Sequence, residues 1–512
     1  MTSSTAVVVG AGTMGRGIAQ VLVESGWRVH MVDPMGDAAA QGQEAVQAAW
    51  ARAVARGRLD AAHAAALEAS LDAAPDYERV EGPPAWVIEA ASEDLELKRR
   101  LLAELESRWP AGTRLASNTS SLTIASLQGG LRHPERLGGL HFFNPVPRMA
   151  LVEVIASPAT GAAWTAAAFD LARGLGKTPV PAPDRPGFLV NRVMRPFYAE
   201  ALRLVEEEVA PPEVVDAVME GAGFPMGPFR LMDLVGIDVN LAVTAAVYAQ
   251  TFGEDRYRPH PRQQMMRDLG WLGRKRGRGF YDYRPSTDLP TEAPPAPPPE
   301  APRSGGLVAG SPAFQQAWRR LSLPGRLSDE PPEPGLLRFW VDPDPGAEPP
   351  RPAGPATLLV VDGTRQHVEP LAARWGRPVV GFDPALVLAG AKVMTVSGYQ
   401  GPEVAQIFAP LRVVPVEDAI GHVFSRIVCS LVDEALRFRP RIDPAVVDRA
   451  VELGVNHPRG PHAWLGRLGA ERVAAVLAAL RLVGGERYRP SEDLLRAAER
   501  EPHASLAERG GI

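Results

Sequence analysis

Four polar side chains stand where chemistry could be done. Glu153 interrupts Leu151-Val152-Glu153-Val154-Ile155, a run that is otherwise apolar on both sides. A carboxylate in such a strand needs a partner, because burying it unpaired costs several kcal/mol. His141 lies twelve residues earlier, at the end of the preceding strand, Leu137 to Leu140. One turn through Asn144-Pro145-Val146-Pro147 can set the two side by side. A His–Glu pair is a general base: the carboxylate orients the ring and stabilises the imidazolium. A core histidine with its hydrogen bonds satisfied, beside an edge glutamate, would show the same spacing. Ser120 belongs to Asn118-Thr119-Ser120-Ser121, the loop after the strand Arg114-Leu115-Ala116-Ser117. All four loop residues are also good helix N-caps. Asn191 is the first polar residue of an apolar helix start, behind the breaker Asp184-Arg185-Pro186-Gly187. A buried amide tying helix to sheet is its structural alternative.

The elements that must position these groups begin at the N-terminus. Val7-Val8-Val9 runs straight into Gly10-Ala11-Gly12-Thr13-Met14-Gly15. A helical pattern follows, with Met14, Ile18, Val21 and Leu22 on one face, and then the strand Trp27 to Val32, ending on Asp33. Strand, glycine turn, helix, strand and acid form a dinucleotide-binding unit. Gly10 permits the tight turn, Gly12 lets the backbone approach a pyrophosphate, and Gly15 packs the helix close to the strand. Thr13 and Met14 open the helix, whose N-terminus offers N–H groups and partial positive charge to phosphates. Asp33, 18 residues after Gly15, can take both ribose hydroxyls of an adenosine and repels a 2′-phosphate, so NAD is expected over NADP. Trp86 to Ala91 is another buried strand, and Glu93 and Lys98 follow at its carboxyl end, where open α/β sheets bind ligands. The alanine-rich stretch between reads as helix over Gln43 to Ala55, a turn at Arg56-Gly57-Arg58, and helix over Asp60 to Leu71. Arg52, Arg56 and Arg58 cluster at that turn, as a solvated face or a landing site for a phosphorylated handle.

A chain of 512 residues is too long for one core, and two to four domains are expected. The net charge of −5 supplies no basic footprint for nucleic acid. No apolar run reaches the length of a membrane span. The N-terminus leads directly into a strand, leaving no room for a signal peptide, and Cys429 is the only cysteine. A soluble cytoplasmic protein is expected. The 51 prolines are about twice the usual usage, and much of the excess is concentrated in segments 284–306 and about 324–355, which read as linkers. Beyond Asp184 the chain is helical: Phe188 to Glu208, Pro212 to Gly221 and Leu231 to Phe252. Past the linkers, Thr357 to Val361, Pro378 to Phe382 and Lys392 to Val396 read as strands of a small α/β unit. It lacks the glycine fingerprint, so no nucleotide is expected there. The last region repeats the first helical one. Gly187-Phe188-Leu189-Val190-Asn191-Arg192 matches Gly421-His422-Val423-Phe424-Ser425-Arg426, and Glu200-Ala201-Leu202 matches Glu434-Ala435-Leu436 at identical spacing. Pro212 to Asp216 matches Pro444 to Asp448, and Gly227-Pro228 matches Gly460-Pro461 with one residue inserted. Such in-register matches argue for duplication of a helical domain.

The segments Ser117 to Leu122, His141 to Pro147 with Glu153, Pro186 to Arg192, Gly223 to Pro228 and Gly277 to Tyr281 together resemble the 3-hydroxyacyl-CoA dehydrogenase family. Residues 5–283 carry the close match, and the whole chain is similar to the long bacterial members that act on 3-hydroxybutyryl-CoA or 3-hydroxyadipyl-CoA. The resemblance implies that His141 is the base and Glu153 its partner. It implies that Ser120 and Asn191 hold the substrate oxygen, that Asn144 and Arg56 contact the acyl-CoA, and that Glu93 and Lys98 lie near the nicotinamide ribose. It further implies fatty-acid or aromatic-acid catabolism and a homodimer, since single-copy relatives pair through an apolar helical face. The expected organisation is a Rossmann-type NAD-binding domain over 1–183 and an all-α domain over 184–283. A Pro-rich linker over 284–333, a reduced Rossmann-like α/β unit over 334–412, a second all-α domain over 413–490 and a tail over 491–512 follow. Ser425 replaces Asn191 in the second copy, and no serine loop or His–Glu pair precedes it, so the second half is expected to be non-catalytic. Two rivals remain: a dehydrogenase of a free hydroxy acid or sugar acid, and a non-enzymatic NAD-binding protein on the same fold.

Overall fold

The computed structural model describes residues 4–284, 307–309, 312–321, 326–327, 338–340, 359–376, 378–438 and 442–507. They form two compact units: residues 1–192 with 452–455, and residues 193–451 with 456–512.

In the first unit the elements are β1 (Thr5–Val9), α1 (Thr13–Glu24), β2 (Arg28–Val32), α2 (Ala38–Ala55), α3 (Ala61–Ala69), β3 (Leu71–Ala74), β4 (Trp86–Glu89), α4 (Leu95–Arg108), β5 (Arg114–Ser117), α5 (Ile124–Gln128), β6 (Leu137–Phe142), β7 (Leu151–Ala156), α6 (Ala162–Gly174), β8 (Thr178–Pro183) and the short α7 (Val190–Val193). The eight strands are ordered β3-β2-β1-β4-β5-β6-β7-β8. Every neighbouring pair is parallel except β6–β7. The apolar runs of β1, β4 and β5 are buried, as parallel strands covered on both faces must be. The helix expected over Asp60 to Leu71 is present as α3, capped by Asp60, and only its last residue, Leu71, belongs instead to strand β3. Alanine-rich sequence favours helix locally, but Val29 to Val32 pair with Leu71 to Ala74 and extend the sheet.

The second unit opens with α8 (Arg195–Glu206), α9 (Pro212–Gly221), α10 (Pro228–Val235), α11 (Ile237–Gln250) and α12 (Pro261–Asp268). The helix expected over Leu231 to Phe252 is two helices bent by 99°, because Gly236 at φ +106° ends one and starts the other. Next come β9 (Leu307–Ala309), α13 (Pro312–Arg320), β10 (Arg326–Leu327), β11 (Arg338–Trp340), β12 (Leu359–Asp362), α14 (Glu369–Trp375), β13 (Val379–Phe382), α15 (Pro384–Ala389), β14 (Val393–Gly398), α16 (Pro402–Ile407) and β15 (Arg412–Pro415). The last helices are α17 (Phe424–Leu436), α18 (Pro444–Val455), α19 (Pro461–Leu468), α20 (Ala470–Gly484) and α21 (Glu492–Ala507).

The second sheet is ordered β10-β9-β11-β12-β13-β14-β15. It repeats the first sheet without its outermost strand, down to the single antiparallel step, here β13–β14. Three expected boundaries are corrected. The linker over 284–333 stops short of Leu307, where the sheet begins; of this linker, residues 285–306 lie outside the described residues. The run Leu307-Val308-Ala309 is too short to stand out among prolines, and it becomes a strand by pairing with β10 and β11. The boundary at 412/413 falls inside β15. The tail over 491–512 contains α21, entered through Ser491, whose hydroxyl accepts the Leu494 N–H, with Leu494 fully buried.

The two helical copies pack on each other through α8 and α17. Glu200 and Glu434, equivalent in the repeat, are reached by equivalent tyrosines from the opposite copy. Tyr488 Oη donates to Glu200 at 2.6 Å, and Tyr257 Oη donates to Glu434. This reciprocity is what a two-fold pairing of like surfaces produces. The apolar face that motivated the expected homodimer is therefore covered within this chain. Among the described residues no single helix is long and apolar enough to cross a membrane.

Candidate active site

The glycine turn is built for a ligand. At Gly10, φ is +101° and a Cβ would sit 2.6 Å from the Ala90 carbonyl oxygen. At Gly15 a Cβ would meet the Gly10 carbonyl oxygen at 1.7 Å, so the helix could not lie against the strand with any side chain there. At Gly12 a Cβ would meet nothing within 4 Å, and no side chain caps the N-terminus of α1. The first N–H groups of α1, at Thr13 and Met14, thus begin beside open space, as an incoming pyrophosphate requires. Asp33 is held at the tip of β2: Oδ2 accepts the Ala11 N–H at 2.8 Å and Oδ1 the Met35 N–H at 3.0 Å. Its carboxylate is thereby pinned to the glycine turn. These residues fit the adenosine and pyrophosphate of NAD.

His141 and Glu153 face each other directly across β6–β7, so their side chains leave the same face of the sheet. His141 Nδ1 lies 2.6 Å from Glu153 Oε2. A carboxylate only accepts, so Nδ1 carries a proton, and in the neutral ring it is Nε2 that holds the lone pair. Glu153 is fully buried, and its other oxygen, Oε1, accepts the N–H groups of Leu189 at 3.1 Å and Val190 at 2.8 Å. Both oxygens are satisfied, which makes this buried charge tolerable. Asn191 follows Val190 directly, so one carboxylate links the imidazole to the start of the asparagine's helix. Phe143 and Phe188 flank the histidine ring at centroid distances of 4.6 and 5.7 Å.

The serine loop is organised by Glu93. Its Oε1 accepts Thr119 Oγ1 at 2.6 Å, Ser121 Oγ at 2.8 Å, the Ser120 and Ser121 N–H groups at 2.9 Å each, and Ser120 Oγ at 3.4 Å. Its Oε2 lies 3.3 Å from Lys98 Nζ. Burial opposes ionisation of Glu93, but the Lys98 ammonium and these hydrogen bonds prevail and hold the carboxyl below its ordinary range. Lys98, almost wholly buried, also donates to Glu89 Oε1 at 2.6 Å, while Glu89 Oε2 takes Ser117 Oγ at 2.5 Å. Asn118 Oδ1 accepts the Phe142 N–H at 2.8 Å and ties the loop to the strand that carries His141. Glu89 and Ser117 were not anticipated. The signal was available, for Glu89 ends an apolar strand just as Glu153 interrupts one. Arg56 is exposed at the end of α2 and Asn144 is exposed in the turn after β6; neither joins this hydrogen-bonded cluster among the described residues.

The corresponding place in the second sheet is filled. Gly421 and His422 repeat the unusual backbone of Gly187 and Phe188, with φ of +88° and +43° against +76° and +47°. In the second sheet Thr395 stands where Glu153 does, since it pairs with Val414 seven residues before Gly421 as Glu153 pairs with Val180 seven before Gly187, and Asp383, the residue after β13, takes the place of His141. His422, in the position of Phe188, is wholly buried there, with Nδ1 and Nε2 3.2 Å from Thr395 Oγ1 and Ser397 Oγ. Complete burial pushes this imidazole down to about 4, and it stays neutral. Ser425, in the position of Asn191, donates from Oγ to Asp383 at 2.7 Å.

An open, mainly parallel sheet with a glycine turn, an acid ending the second strand and a buried His–Glu pair defines an NAD-dependent dehydrogenase of the Rossmann class. Comparison with known proteins narrows the class. The model of the 3-hydroxyacyl-CoA dehydrogenase NAD-binding domain matches residues 5–185, and that of the family's C-terminal domain matches residues 187–283 and again 421–511. The chain is 35% identical over 497 residues to 3-hydroxyadipyl-CoA dehydrogenase of Escherichia coli (strain K12), covering 95% of both proteins. It is 39% identical over 282 residues to a probable 3-hydroxybutyryl-CoA dehydrogenase of Bacillus subtilis (strain 168), covering 55% of this chain and 98% of that one. The crystal structure of 3-hydroxybutyryl-CoA dehydrogenase from E. coli K12 superposes with a TM-score of 0.80 at 34% identity, covering 98% of this chain and 100% of that one. The chain belongs to the 3-hydroxyacyl-CoA dehydrogenase family, and it is an NAD-dependent oxidoreductase acting on 3-hydroxyacyl-CoA.

Proposed function

We propose that this enzyme oxidises the 3-hydroxyl of a (3S)-3-hydroxyacyl-CoA, with 3-hydroxybutyryl-CoA or 3-hydroxyadipyl-CoA as substrate, in cytoplasmic fatty-acid or aromatic-acid catabolism. The observation that carries the proposal is the His141–Glu153 pair, held by one carboxylate to the helix start that bears Asn191. His141 Nε2 takes the proton of the 3-hydroxyl. Glu153 keeps Nδ1 protonated and stabilises the imidazolium that forms. Ser120 and Asn191 hold the substrate oxygen as it becomes a carbonyl. Such positioning can supply roughly 7–11 kcal/mol of a barrier. NAD, when bound, supplies the acceptor for the hydride that leaves C3. Gly10, Gly12, Thr13, Met14, Gly15 and Asp33 hold its adenosine and pyrophosphate half, with Glu93 and Lys98 on the nicotinamide side. The exposed Arg56, with Arg52 and Arg58, receives coenzyme A phosphates, and Asn144 contacts the acyl-CoA. The second copy is non-catalytic, which its filled pseudo-site supports.

The test is NADH consumption with acetoacetyl-CoA, 3-oxoadipyl-CoA and free acetoacetate. Turnover of both thioesters, or of one, with little turnover of the free acid is expected. Comparable turnover of the free acid would sink the acyl-CoA assignment. A preference between the two thioesters assigns chain length and distal carboxylate.

A further inference from the structure

The serine loop and the asparagine helix start must keep a fixed distance if both are to hold one oxygen, yet they are far apart in sequence. One side chain joins them. Asp184 lies in the breaker before Gly187, and its Oδ1 and Oδ2 accept the N–H groups of Ile124 and Ala125 at 2.6 and 2.7 Å. These are the first two residues of α5, the helix into which Ser120 and Ser121 lead. The third N–H, of Ser126, is capped by Thr123 Oγ1 at 3.3 Å. On the other side, the chain from Asp184 to Asn191 has little freedom. Phe188 N–H bonds the Arg185 carbonyl, Arg192 N–H bonds the Gly187 carbonyl, and Leu189 and Val190 are anchored on Glu153.

The repeat supplies a control within the same molecule. Asp418 stands three residues before Gly421, as Asp184 stands three before Gly187. Its Oδ2 accepts the N–H groups of Val368 at 2.8 Å and Glu369 at 2.9 Å, at the start of α14, the helix after β12. The second copy has kept this clamp where the serine loop, the His–Glu pair and the asparagine are all gone.

We propose that Asp184 is a positioning residue of the reaction: by clamping the N-terminus of α5 it sets Ser120 against Asn191, while Asp418 makes the same clamp without a chemical consequence. The proposal rests on the assignment of Ser120 and Asn191 to the substrate oxygen. A carboxylate suits the task because it accepts two adjacent N–H groups at once and complements the positive end of the helix. An asparagine accepts with one oxygen and presents a donor to the second N–H.

The experiment compares Asp184→Asn and Asp418→Asn in the full chain, with Ser120→Ala and Asn191→Ala alongside. Asp184→Asn is expected to lower kcat about tenfold with the Kd for NADH changed less than threefold, and Asp184→Glu, which keeps a carboxylate, to recover most of that loss. Asp418→Asn is expected to lower Tm to a similar extent with kcat within twofold of wild type. Wild-type kcat in Asp184→Asn, while Ser120→Ala and Asn191→Ala are impaired, overturns the clamp alone. Equal loss of kcat in Asp184→Asn and Asp418→Asn also overturns it, since both then act through general stability. Wild-type kcat in Ser120→Ala and Asn191→Ala overturns the oxygen-holding assignment and the clamp with it. If Asp184→Asn does not fold, Asp184→Glu decides: a folded variant with kcat within twofold of wild type supports the clamp, and a loss of tenfold or more overturns it.

Discussion

Glu153→Gln is the sharpest perturbation of the acid–base unit, because the substitution keeps shape and removes only a charge and one acceptor. Glu153 receives three donors: His141 Nδ1–H on one oxygen, and the Leu189 and Val190 N–H groups on the other. A glutamine must turn its NH2 toward one of the two sides. Facing the backbone, it would leave two buried N–H groups without an acceptor, at about 1–3 kcal/mol each. Facing the imidazole, it asks only that His141 change tautomer, so this orientation wins. Nδ1 then carries the lone pair, Nε2 carries the proton, and the ring cannot take the substrate proton in the oxidative direction. The corresponding acid-to-amide change in a serine-protease triad costs about 10⁴ in kcat through the wrong tautomer. For a general base supported by positioning, a loss of about 10²–10⁴ is expected here. NADH binding should stay within about threefold, because none of the three donors belongs to the glycine turn or Asp33. The assay is initial-rate oxidation of 3-hydroxybutyryl-CoA, with NADH affinity measured by fluorescence and folding checked by circular dichroism. A folded variant with kcat within tenfold of wild type would refute the tautomer argument.

Asp33→Ala should raise KM for NAD and narrow the gap to NADP, since the carboxylate that repels a 2′-phosphate is lost; equal use of both cofactors by the wild type would contradict this role. Asn191→Ala should lose roughly 1–3 kcal/mol of transition-state binding in kcat/KM, while Ser425→Ala, its equivalent in the filled site, should leave kcat/KM within about threefold. A comparable loss in both variants would show that the second copy takes part in catalysis. Glu200 is wholly buried between the helical copies. Burial opposes its charge, but Arg203, Arg426 and Tyr488 outweigh burial and hold its carboxyl below the ordinary 4.5. A depressed carboxyl contributes stability above its unfolded value and loses it as pH falls through the folded value. Glu200→Gln should therefore lower stability at pH 7, by about 3–5 kcal/mol for a broken buried ion pair. Its Tm gap to wild type should close as pH falls below 4.5. A gap independent of pH would rule out that linkage.

Much of the catalytic unit was legible along the chain, because it depends on short-range rules. A glycine turn between a strand and a helix has one backbone solution, and the second strand of a βαβ unit must end near it, which places Asp33. A carboxylate inside an apolar strand demands a donor, and the histidine one turn away supplies it. The duplication was legible from spacing alone, and with it the loss of the asparagine at Ser425. The tertiary structure alone decided what joins distant segments. That Glu93 gathers Thr119, Ser120 and Ser121 depends on the pairing of β4 with β5. That Asp184 reaches α5 depends on a contact across 60 residues, and that Tyr488 reaches Glu200 on one across 288. That Asp383 and Thr395 stand in the places of His141 and Glu153 depends on the registers of β13, β14 and β15. The short strands at Leu71 and Leu307 and the helix after Ser491 were not legible for the same reason. Local propensity and periodicity report only what neighbours along the chain prefer, whereas these elements form because a partner strand or helix elsewhere offers hydrogen bonds and an apolar face.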